Sequence, residues 1–457
     1  MSHSVAGITN QVGDSMSLSQ AYTEMVNVFG SKNVLREPNE IQPYSLNVYS
    51  KREQRPAFVI KSESAKQLSQ LFSIAKKYKL QINPRGSGFD PAEGSMSNNG
   101  VIADLTGLNQ ILTVDEEKNS ITVQSGVNFE SLSTVLASKG FSLGLEPIYS
   151  PAATIGGFIA SHGVGYGSIK HGSILNIVRD LEIILSDGSV VHTGFKDVPS
   201  YATGYDLTHL LIGSEGTLAI ITEATLNIYP KPETVNDIAF SFSDIEVGTK
   251  MLKEVSKHLS TLASVFIMDR SLMETLENNS TTIPSEGFIG AIRLEGAKET
   301  VEIEAGITQT ICKSPLSPQL GNKIWNSRFL YPLIKTNETP ALVDDYFVPT
   351  HRNADAYRKL KDIAGTYGLK TSFYSLQKDI DSNLSVFILY INGSSKAGAA
   401  REELESFIIS LGGKPCSAGL RRTASMKKTS SNSLGLLKRI KEVFDKENLL
   451  SPEKLGV

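Results

Sequence analysis

The spacing of hydrophobic residues in the first half of the chain alternates between that of helices and that of strands. An apolar run at 57–60, a helix that begins after Ser64 and a strand at 80–83 predict a strand–helix–strand unit. Stretches 180–186 and 189–193 flank Asp187-Gly188, a pair that readily takes the two positive φ angles of a tight hairpin. This half of the chain therefore predicts layered, mixed α and β structure.

Longer helical and strand patterns follow Pro230 and Pro232, so a domain boundary is predicted there. Two comparable sets of strands and helices, over residues 237–312 and 346–411, predict a second domain with two halves. A chain of 457 residues is long enough for two or three domains of about 150 residues each. The predicted division is an N-terminal helical segment (1–50), a first domain (51–232), a second domain (233–412) and a C-terminal segment (413–457).

Charge and composition exclude several classes of function. The 45 basic and 48 acidic residues leave a formal net charge of -3 without a block of like charge, so we expect no nucleic acid partner. Cys312 and Cys416 form no CxxC pair and the seven histidines form no HxxH, HxxxH or HExxH pair, so we expect no disulfide framework and no metal. The polar first 19 residues contain no apolar run of a signal peptide, which predicts a cytoplasmic protein.

Three glycine-rich loops are the strongest chemical signal. The first, 83–88, directly follows a predicted strand, the second spans 150–167, and the third spans 213–222. Glycine adds no side-chain bulk and tolerates left-handed backbone angles, so such loops bring backbone N–H groups close to phosphate oxygens or to a planar ligand. The first loop lacks the third glycine of a Rossmann fingerprint and the lysine of a P-loop, and taken alone it fits a plain turn as well.

The order and spacing of these loops resemble the flavoprotein superfamily of vanillyl-alcohol oxidase and p-cresol methylhydroxylase. Within it, the chain is similar to the branch of glycolate oxidase FAD subunits and D-lactate or D-2-hydroxyglutarate dehydrogenases. The motifs that carry the resemblance are 84–88, 104–105, 123–127, 154–157, 187–188, 213–218 and the closing stretch 449–455.

The resemblance implies an α+β fold, with a p-cresol methylhydroxylase type FAD-binding domain of two subdomains and an α/β cap that has an antiparallel sheet. Members that tether FAD often use a histidine in the first loop, where this chain has Phe89, Asp90 and Pro91, so we expect non-covalent FAD. His162 either faces the flavin ring or only holds its loop. The residues that the resemblance assigns to FAD are Arg85, Gly86, Ser87, Gly88, Phe89, Pro151, Thr154, Gly156, Gly157, Ser161, His162, Gly163, Glu215, Ile220 and Ile221.

The second domain departs from the family at its substrate site. Trp325 and Arg328 resemble the cap segment whose arginine binds the substrate carboxylate, although a surface ion pair fits Arg328 equally well. The family's metal-binding histidines, in a GDGNxH strand and a GEHG loop, are missing from stretches 381–385 and 416–421. Another side chain then has to accept the hydroxyl proton. The candidates are His351, Tyr346, Tyr374 and Tyr390, for which packing is the alternative.

These residues predict an FAD-dependent oxidoreductase that oxidises a small 2-hydroxy acid. Its partners would be a small carboxylate substrate and an electron acceptor, which is a quinone, an iron–sulfur or flavin protein, or oxygen. A homodimer and a peripheral position at the inner membrane face through the acceptor are left open. The alternatives are a sugar or aldonolactone oxidoreductase of the same superfamily and a weakly catalytic FAD subunit of an electron-transfer complex.

Overall fold

The computed structural model describes residues 3–47, 53–195, 197–198, 202–276, 287–312, 315–329, 341–379, 381–390, 396–429, 432–452 and 454–457. The predicted boundary between residues 50 and 51 lies outside them. A helix at His3–Phe29 opens the described chain and ends at Gly30, whose φ of 81° suits a residue without a Cβ.

A four-stranded sheet forms the first layer of the N-terminal half. Its strands, in spatial order, are Val34–Leu35, Phe58–Lys61, Val101–Asp104 and Ile82–Arg85. The last three are mutually parallel, and the helix Ala65–Tyr78 connects two of them. This helix begins after Ser64 as predicted, because the Ser64 hydroxyl accepts a hydrogen bond from the N–H of Gln67 at 3.3 Å. Its apolar face packs on the sheet and on the first helix.

A five-stranded antiparallel sheet forms the second layer of this half. Its strands, in spatial order, are Val190–His192, Val178–Ile184, Ile220–Asn227, Ser120–Gln124 and Ile111–Asp115. The hairpin predicted at Asp187-Gly188 joins the first two, and Gly188 has a φ of 86°. Helices Phe129–Ser138, Ile155–Ala160 and Leu207–Leu211 accompany this sheet.

The C-terminal half is built on a seven-stranded antiparallel sheet, which we call the cap sheet. Its strands, in spatial order, are Thr234–Phe242, Phe288–Gly296, Leu262–Asp269, Lys370–Gln377, Ser382–Tyr390, Ala341–Pro349 and Lys414–Pro415. One face is covered by helices Ile245–His258, Lys298–Ile311, Asn353–Tyr367 and Ala397–Ser410. The other face packs with Arg270–Leu276 and Pro318–Asn326 and against Ile148, Val164 and Tyr166 of the N-terminal half. The mixed α+β class is confirmed.

The C-terminal segment, with helices Thr423–Thr429 and Leu434–Phe444, returns to the N-terminal half. There the N–H of Ile82 donates to the carbonyl of Leu449 at 2.7 Å, and the N–H of Ser451 donates to the carbonyl of Ile82 at 2.9 Å. Strand Lys414–Pro415 nevertheless pairs with the cap sheet, so residues 413–457 contact both halves. The division into segments at 232 and 412 stays a prediction.

Short elements complete the described chain. They are Ser31–Asn33, Pro38–Ser45, Phe141–Ser142, Glu146–Pro147, Gly165–Tyr166, Ser168–His171, Ile174–Asn176, Tyr229–Pro230, Thr350–Arg352 and Lys454–Gly456. Within the described ranges, every helix is either too short or too polar to cross a membrane.

Candidate active site

A cavity lies where the loops of the N-terminal half meet the cap sheet. Its empty volume of about 1200 Å³ includes space that is open to solvent. Twelve of the fifteen residues that the sequence assigned to FAD line it: Arg85, Gly86, Ser87, Gly88, Phe89, Thr154, Gly156, Gly157, Ser161, Gly163, Glu215 and Ile221. The cap end of the wall is formed by Asp345, Leu384, Cys416 and Ser417. The cavity therefore extends from the glycine loops to the cap sheet.

The first glycine loop begins where strand Ile82–Arg85 ends. Among the described residues, the N–H groups of Gly86, Ser87 and Gly88 form no hydrogen bond to protein. A Cβ at Gly86 would overlap Oγ1 of Thr154, so this position tolerates only glycine without a shift of its neighbours. Backbone N–H groups that face open space are suited to oxyanions such as phosphates.

The second glycine loop contributes a hydroxyl without a partner. Thr154 precedes the short helix Ile155–Ala160, yet its side chain does not cap that helix. Within the described structure, Oγ1 of Thr154 and Oγ of Ser125 are buried without a hydrogen-bond partner. A Cβ at Gly156 would lie 2.6 Å from Cβ of Ser125, so the backbone approaches closely here too. Unpaired buried hydroxyls are costly, and a bound polar group can satisfy them.

The third loop is fastened to the segment after the cap sheet by Glu215. Its φ is 51°, and its two carboxylate oxygens accept the N–H groups of Ala418 and Gly419, each at 2.7 Å. Burial, with Asp90 nearby, raises the pKa of Glu215 to about 7. Burial also lowers the pKa of Lys454 to about 8, and its Nζ contacts the carbonyl oxygens of Gly94 and Glu215. Glu215 thus joins both halves of the molecule beside the cavity.

The Arg85 side chain is held under the first loop. Its guanidinium lies 5.2 Å from the ring centre of Tyr44, and its Nη1 donates to the Ser95 hydroxyl at 3.2 Å. Tyr44 donates to Oδ2 of Asp104 at 2.6 Å, and burial raises the pKa of this phenol. Sequence analysis gave no role to Tyr44, since nothing in its local pattern shows that it meets Arg85.

Three residues assigned to FAD lie beside the cavity wall rather than in it, namely Pro151, His162 and Ile220. Nε2 of His162 lies 3.2 Å from Oγ of Ser173, and burial lowers the pKa of this imidazole. This contact holds the loop, which is one of the two roles considered for His162. Ile220, on the second sheet, is fully buried in a core that it shares with the first sheet.

Arg328 and the four candidate proton acceptors lie outside the described cavity wall. Arg328 is buried, forms an ion pair with the partly exposed Glu146, and packs on aromatic rings at 4.9 Å from the centre of Trp325. His351 is exposed in the turn Thr350–Arg352. The phenol of Tyr390 lies 3.2 Å from the Ser372 hydroxyl. Their catalytic roles stay predictions.

Strand alternation explains the position of Tyr346. Successive side chains of Ala341–Pro349 point to opposite faces of the cap sheet. Tyr346 packs among the covering helices, and its hydroxyl has no partner in the described structure, whereas its neighbour Asp345 lines the cavity. Neither Asp345 nor Tyr149 was predicted as a site residue. Tyr149 lines the same end of the cavity, and its phenol donates to Oδ2 of Asp345 at 3.0 Å.

The two positions of the missing histidines are also separated by the cap sheet. Ser385 lies on the helical side, where its hydroxyl donates to Oδ1 of Asn353 at 2.9 Å. Cys416 lies at the cavity, and burial beside Asp345 raises the pKa of its thiol well above the usual value. In the described part of the chain, no three histidine, cysteine or acidic side chains are grouped as metal ligands.

Two family profiles match the chain. The FAD binding domain matches residues 56–194, and the C-terminal domain of FAD linked oxidases matches residues 231–455. The chain is an FAD-linked oxidoreductase. FAD is its cofactor, and the features that fit it are the unbonded N–H groups of Gly86 to Gly88 and the unpaired hydroxyl of Thr154.

Relatives of this FAD-linked oxidoreductase include two proteins that match along most of its length. The glycolate oxidase subunit GlcD of Bacillus subtilis is 27% identical over 433 residues, which cover 90% of this chain and 91% of the relative. The D-lactate dehydrogenase of Archaeoglobus fulgidus is 26% identical, with 87% and 90% covered. The structure of p-cresol methylhydroxylase with substrate bound superposes with a TM-score of 0.84 at 18% identity and covers 96% of this chain and 97% of that one, which shows the shared fold.

Proposed function

We propose that this FAD-linked oxidoreductase oxidises the CH–OH group of a small 2-hydroxy acid, such as glycolate or D-lactate. The observation that carries the proposal is the cavity that runs from the glycine loops to a polar wall of the cap. Bound FAD supplies a two-electron acceptor, and the protein supplies binding, orientation and a proton acceptor. The names of the two full-length relatives support a hydroxy acid as the substrate class.

The cavity supports the assignments to FAD, whereas the assignment of Arg328 rests on the family resemblance. The N–H groups of Gly86, Ser87 and Gly88 would hold the pyrophosphate of FAD, and Thr154 would bind farther along the cofactor. Arg328 is the proposed ligand of the substrate carboxylate. Because its guanidinium pairs with Glu146, a substrate carboxylate has to replace that partner or share the guanidinium with it.

A neutral polyhydroxylated substrate, such as a sugar or aldonolactone, is the second candidate. It is favoured by the Asp345 carboxylate in the cavity wall and by the engagement of Arg328 with Glu146. A carboxylate in the wall can accept hydrogen bonds from hydroxyl groups, and it repels an anionic substrate unless a cation balances it.

Anaerobic reduction of the bound flavin tests the proposal. The holoenzyme is mixed with glycolate, D-lactate, L-lactate, D-2-hydroxyglutarate, aldoses and aldonolactones, and the loss of flavin absorbance is followed by stopped flow. Rapid bleaching by one hydroxy acid supports the first candidate, and bleaching only by a neutral polyol or lactone supports the second.

If no compound bleaches the bound FAD, oxidation of a hydroxylated substrate is refuted. A role as the FAD subunit of an electron-transfer complex then becomes the better explanation. The acceptor is identified by mixing the reduced enzyme with oxygen, a soluble quinone or a one-electron protein acceptor and measuring the rate of flavin reoxidation.

A further inference from the structure

Two residues from different halves of the chain meet at the cap end of the cavity. Tyr149 precedes the second glycine loop, and Asp345 lies on the strand Ala341–Pro349. Both line the cavity, and the Tyr149 phenol donates its hydrogen bond to Oδ2 of Asp345 at 3.0 Å. Since a phenol has one proton, this bond directs the O–H toward Asp345, and a phenol oxygen is also a hydrogen-bond acceptor.

Arg422 and the backbone of Cys416 hold Asp345 in place. Its side chain is 4% exposed, and Nη1 of Arg422 donates to Oδ1 at 2.7 Å. Its backbone carbonyl accepts the N–H of Cys416 at 3.1 Å and Nη1 of Arg422 at 3.1 Å. The carboxylate therefore has one oxygen held by Arg422 and the other directed at Tyr149.

The charge of this carboxylate is balanced by buried cations. Nη2 of Arg422 also contacts Oδ1 of Asp344 at 2.9 Å, and Arg421 pairs with the same Asp344 oxygen. Arg401 also lies 3.9 Å from Oδ2 of Asp344, so three guanidinium groups and two carboxylates form one cluster behind the wall. An anionic substrate near Asp345 meets a partly compensated charge rather than an isolated one.

We propose that Tyr149 and Asp345 form the proton-accepting pair for the hydroxyl group that the enzyme oxidises. FAD, when bound, would accept the hydride of the substrate C–H bond, while the O–H bond breaks and a C=O bond forms. The hydroxyl proton passes to Oη of Tyr149 while the phenol proton passes to Oδ2 of Asp345. Tyr149 is the catalytic residue and Asp345 stores the proton. This inference rests on the proposed function.

Tyr149→Phe in the holoenzyme is the first test. The limiting rate of anaerobic flavin reduction should fall by about 10²- to 10⁴-fold, the usual contribution of a positioned acid or base. The substrate Kd from the concentration dependence of that rate should stay within threefold. The solvent deuterium isotope effect on flavin reduction should change, because the transferred phenol proton is gone.

Tyr367→Phe is the matched control. Its phenol donates to Oε2 of Glu403, also at 3.0 Å, on the outer side of the cap and away from the cavity wall. This variant should reduce its flavin like the unmodified enzyme. Asp345→Asn is a second test variant, which keeps an oxygen for Tyr149 but does not take up a proton, and it should show the same loss of rate as Tyr149→Phe.

Measurements of FAD content and Tm distinguish a role in proton acceptance from a purely structural contact between the two halves. Tyr149→Phe should keep the FAD content and Tm of the unmodified enzyme, whereas Asp345→Asn should keep its FAD but lose Tm, because it removes a charge that is paired with the buried Arg422. Flavin reduction by Tyr149→Phe within threefold of the unmodified rate overturns the inference and leaves the proposed function intact. Loss of rate together with loss of FAD or of Tm in both variants also overturns it, because the contact is then structural. If the unmodified holoenzyme is bleached by no compound of the panel, both proposals fail.

Discussion

Gly86→Ala perturbs the contact between the first and second glycine loops. A Cβ at this position would overlap Oγ1 of Thr154, while Cβ and Cγ2 of Thr154 would lie at 3.3 and 3.6 Å. The φ of Gly86 is not in the left-handed region, so the effect of the added methyl is steric rather than conformational. Overpacking of this kind costs about 1–3 kcal/mol.

That cost should appear mainly in FAD binding. The two glycine loops of the apoprotein can move apart, but the proposed binding site for FAD requires them in contact. At about 1.4 kcal/mol per decade, the Kd of FAD should rise by about 5- to 150-fold. Titration of apoprotein with FAD, followed by the quenching of flavin fluorescence, measures this Kd.

A double-mutant comparison isolates the responsible atom. Adding Thr154→Ala to Gly86→Ala removes the overlapping oxygen and should bring the FAD affinity close to that of Thr154→Ala alone, which itself lacks the hydroxyl proposed to bind FAD. Adding Thr154→Val puts a methyl in place of the hydroxyl and should restore none. Gly365→Ala is the control, because nothing lies within 4 Å of its added Cβ in the helix Asn353–Tyr367. An unchanged FAD affinity in Gly86→Ala, or equal recovery with Ala and Val at 154, would refute the reasoning.

Three further predictions concern charged groups. Glu146→Gln removes the carboxylate partner of Arg328, so the Kd of a hydroxy-acid substrate should fall by about two- to fivefold in flavin-reduction titrations; an unchanged or higher Kd contradicts the role of Arg328. The folded-state pKa of Glu215, about 7, lies above its ordinary 4.5, so its contribution to the free energy of unfolding is greatest below pH 4.5 and is lost as pH rises through 7. The free energy of unfolding of Glu215→Gln, measured with urea, should not show this loss as pH rises. A pH profile identical to that of the unmodified protein would contradict the prediction. The pKa of His171, about 4, lies below 6.5 because of burial, so its contribution is present above pH 6.5 and is lost as pH falls through 4. The unfolding free energy of the unmodified protein should fall relative to His171→Gln over that interval, and parallel profiles would disprove the assignment.

Much of the fold follows from local patterns. Ser64 begins its helix, Gly30 ends the first helix, and Asp187-Gly188 turns the hairpin, because each depends on the backbone preferences of a few neighbouring residues. The glycine loops were found for the same reason. Their requirement for close backbone approach is local, and twelve of the fifteen residues assigned from them line the cavity.

Local sequence patterns predicted less about the cap end of the cavity, where the substrate is proposed to bind. Tyr346 was predicted as a catalytic candidate, but its neighbour Asp345 is the residue that lines the cavity. The sequence of a strand shows that side chains alternate between the two faces of the sheet, but not which face meets a ligand. Arg328 was recognised as a carboxylate partner, but Glu146, 182 residues away, is the carboxylate that it meets in the structure. No pattern in a single sequence brings such distant residues together.

The sequence by itself determined the α+β class, the positions of the glycine loops and the absence of the family's two histidines. These properties depend on residue type and on spacing within short stretches. The tertiary structure decided which side chains share the cavity. Tyr149 and Asp345 are 196 residues apart, and only the packing of the cap sheet on the N-terminal half places their oxygens 3.0 Å from each other. Contacts between distant segments depend on how whole layers pack, and that is a property of the folded chain.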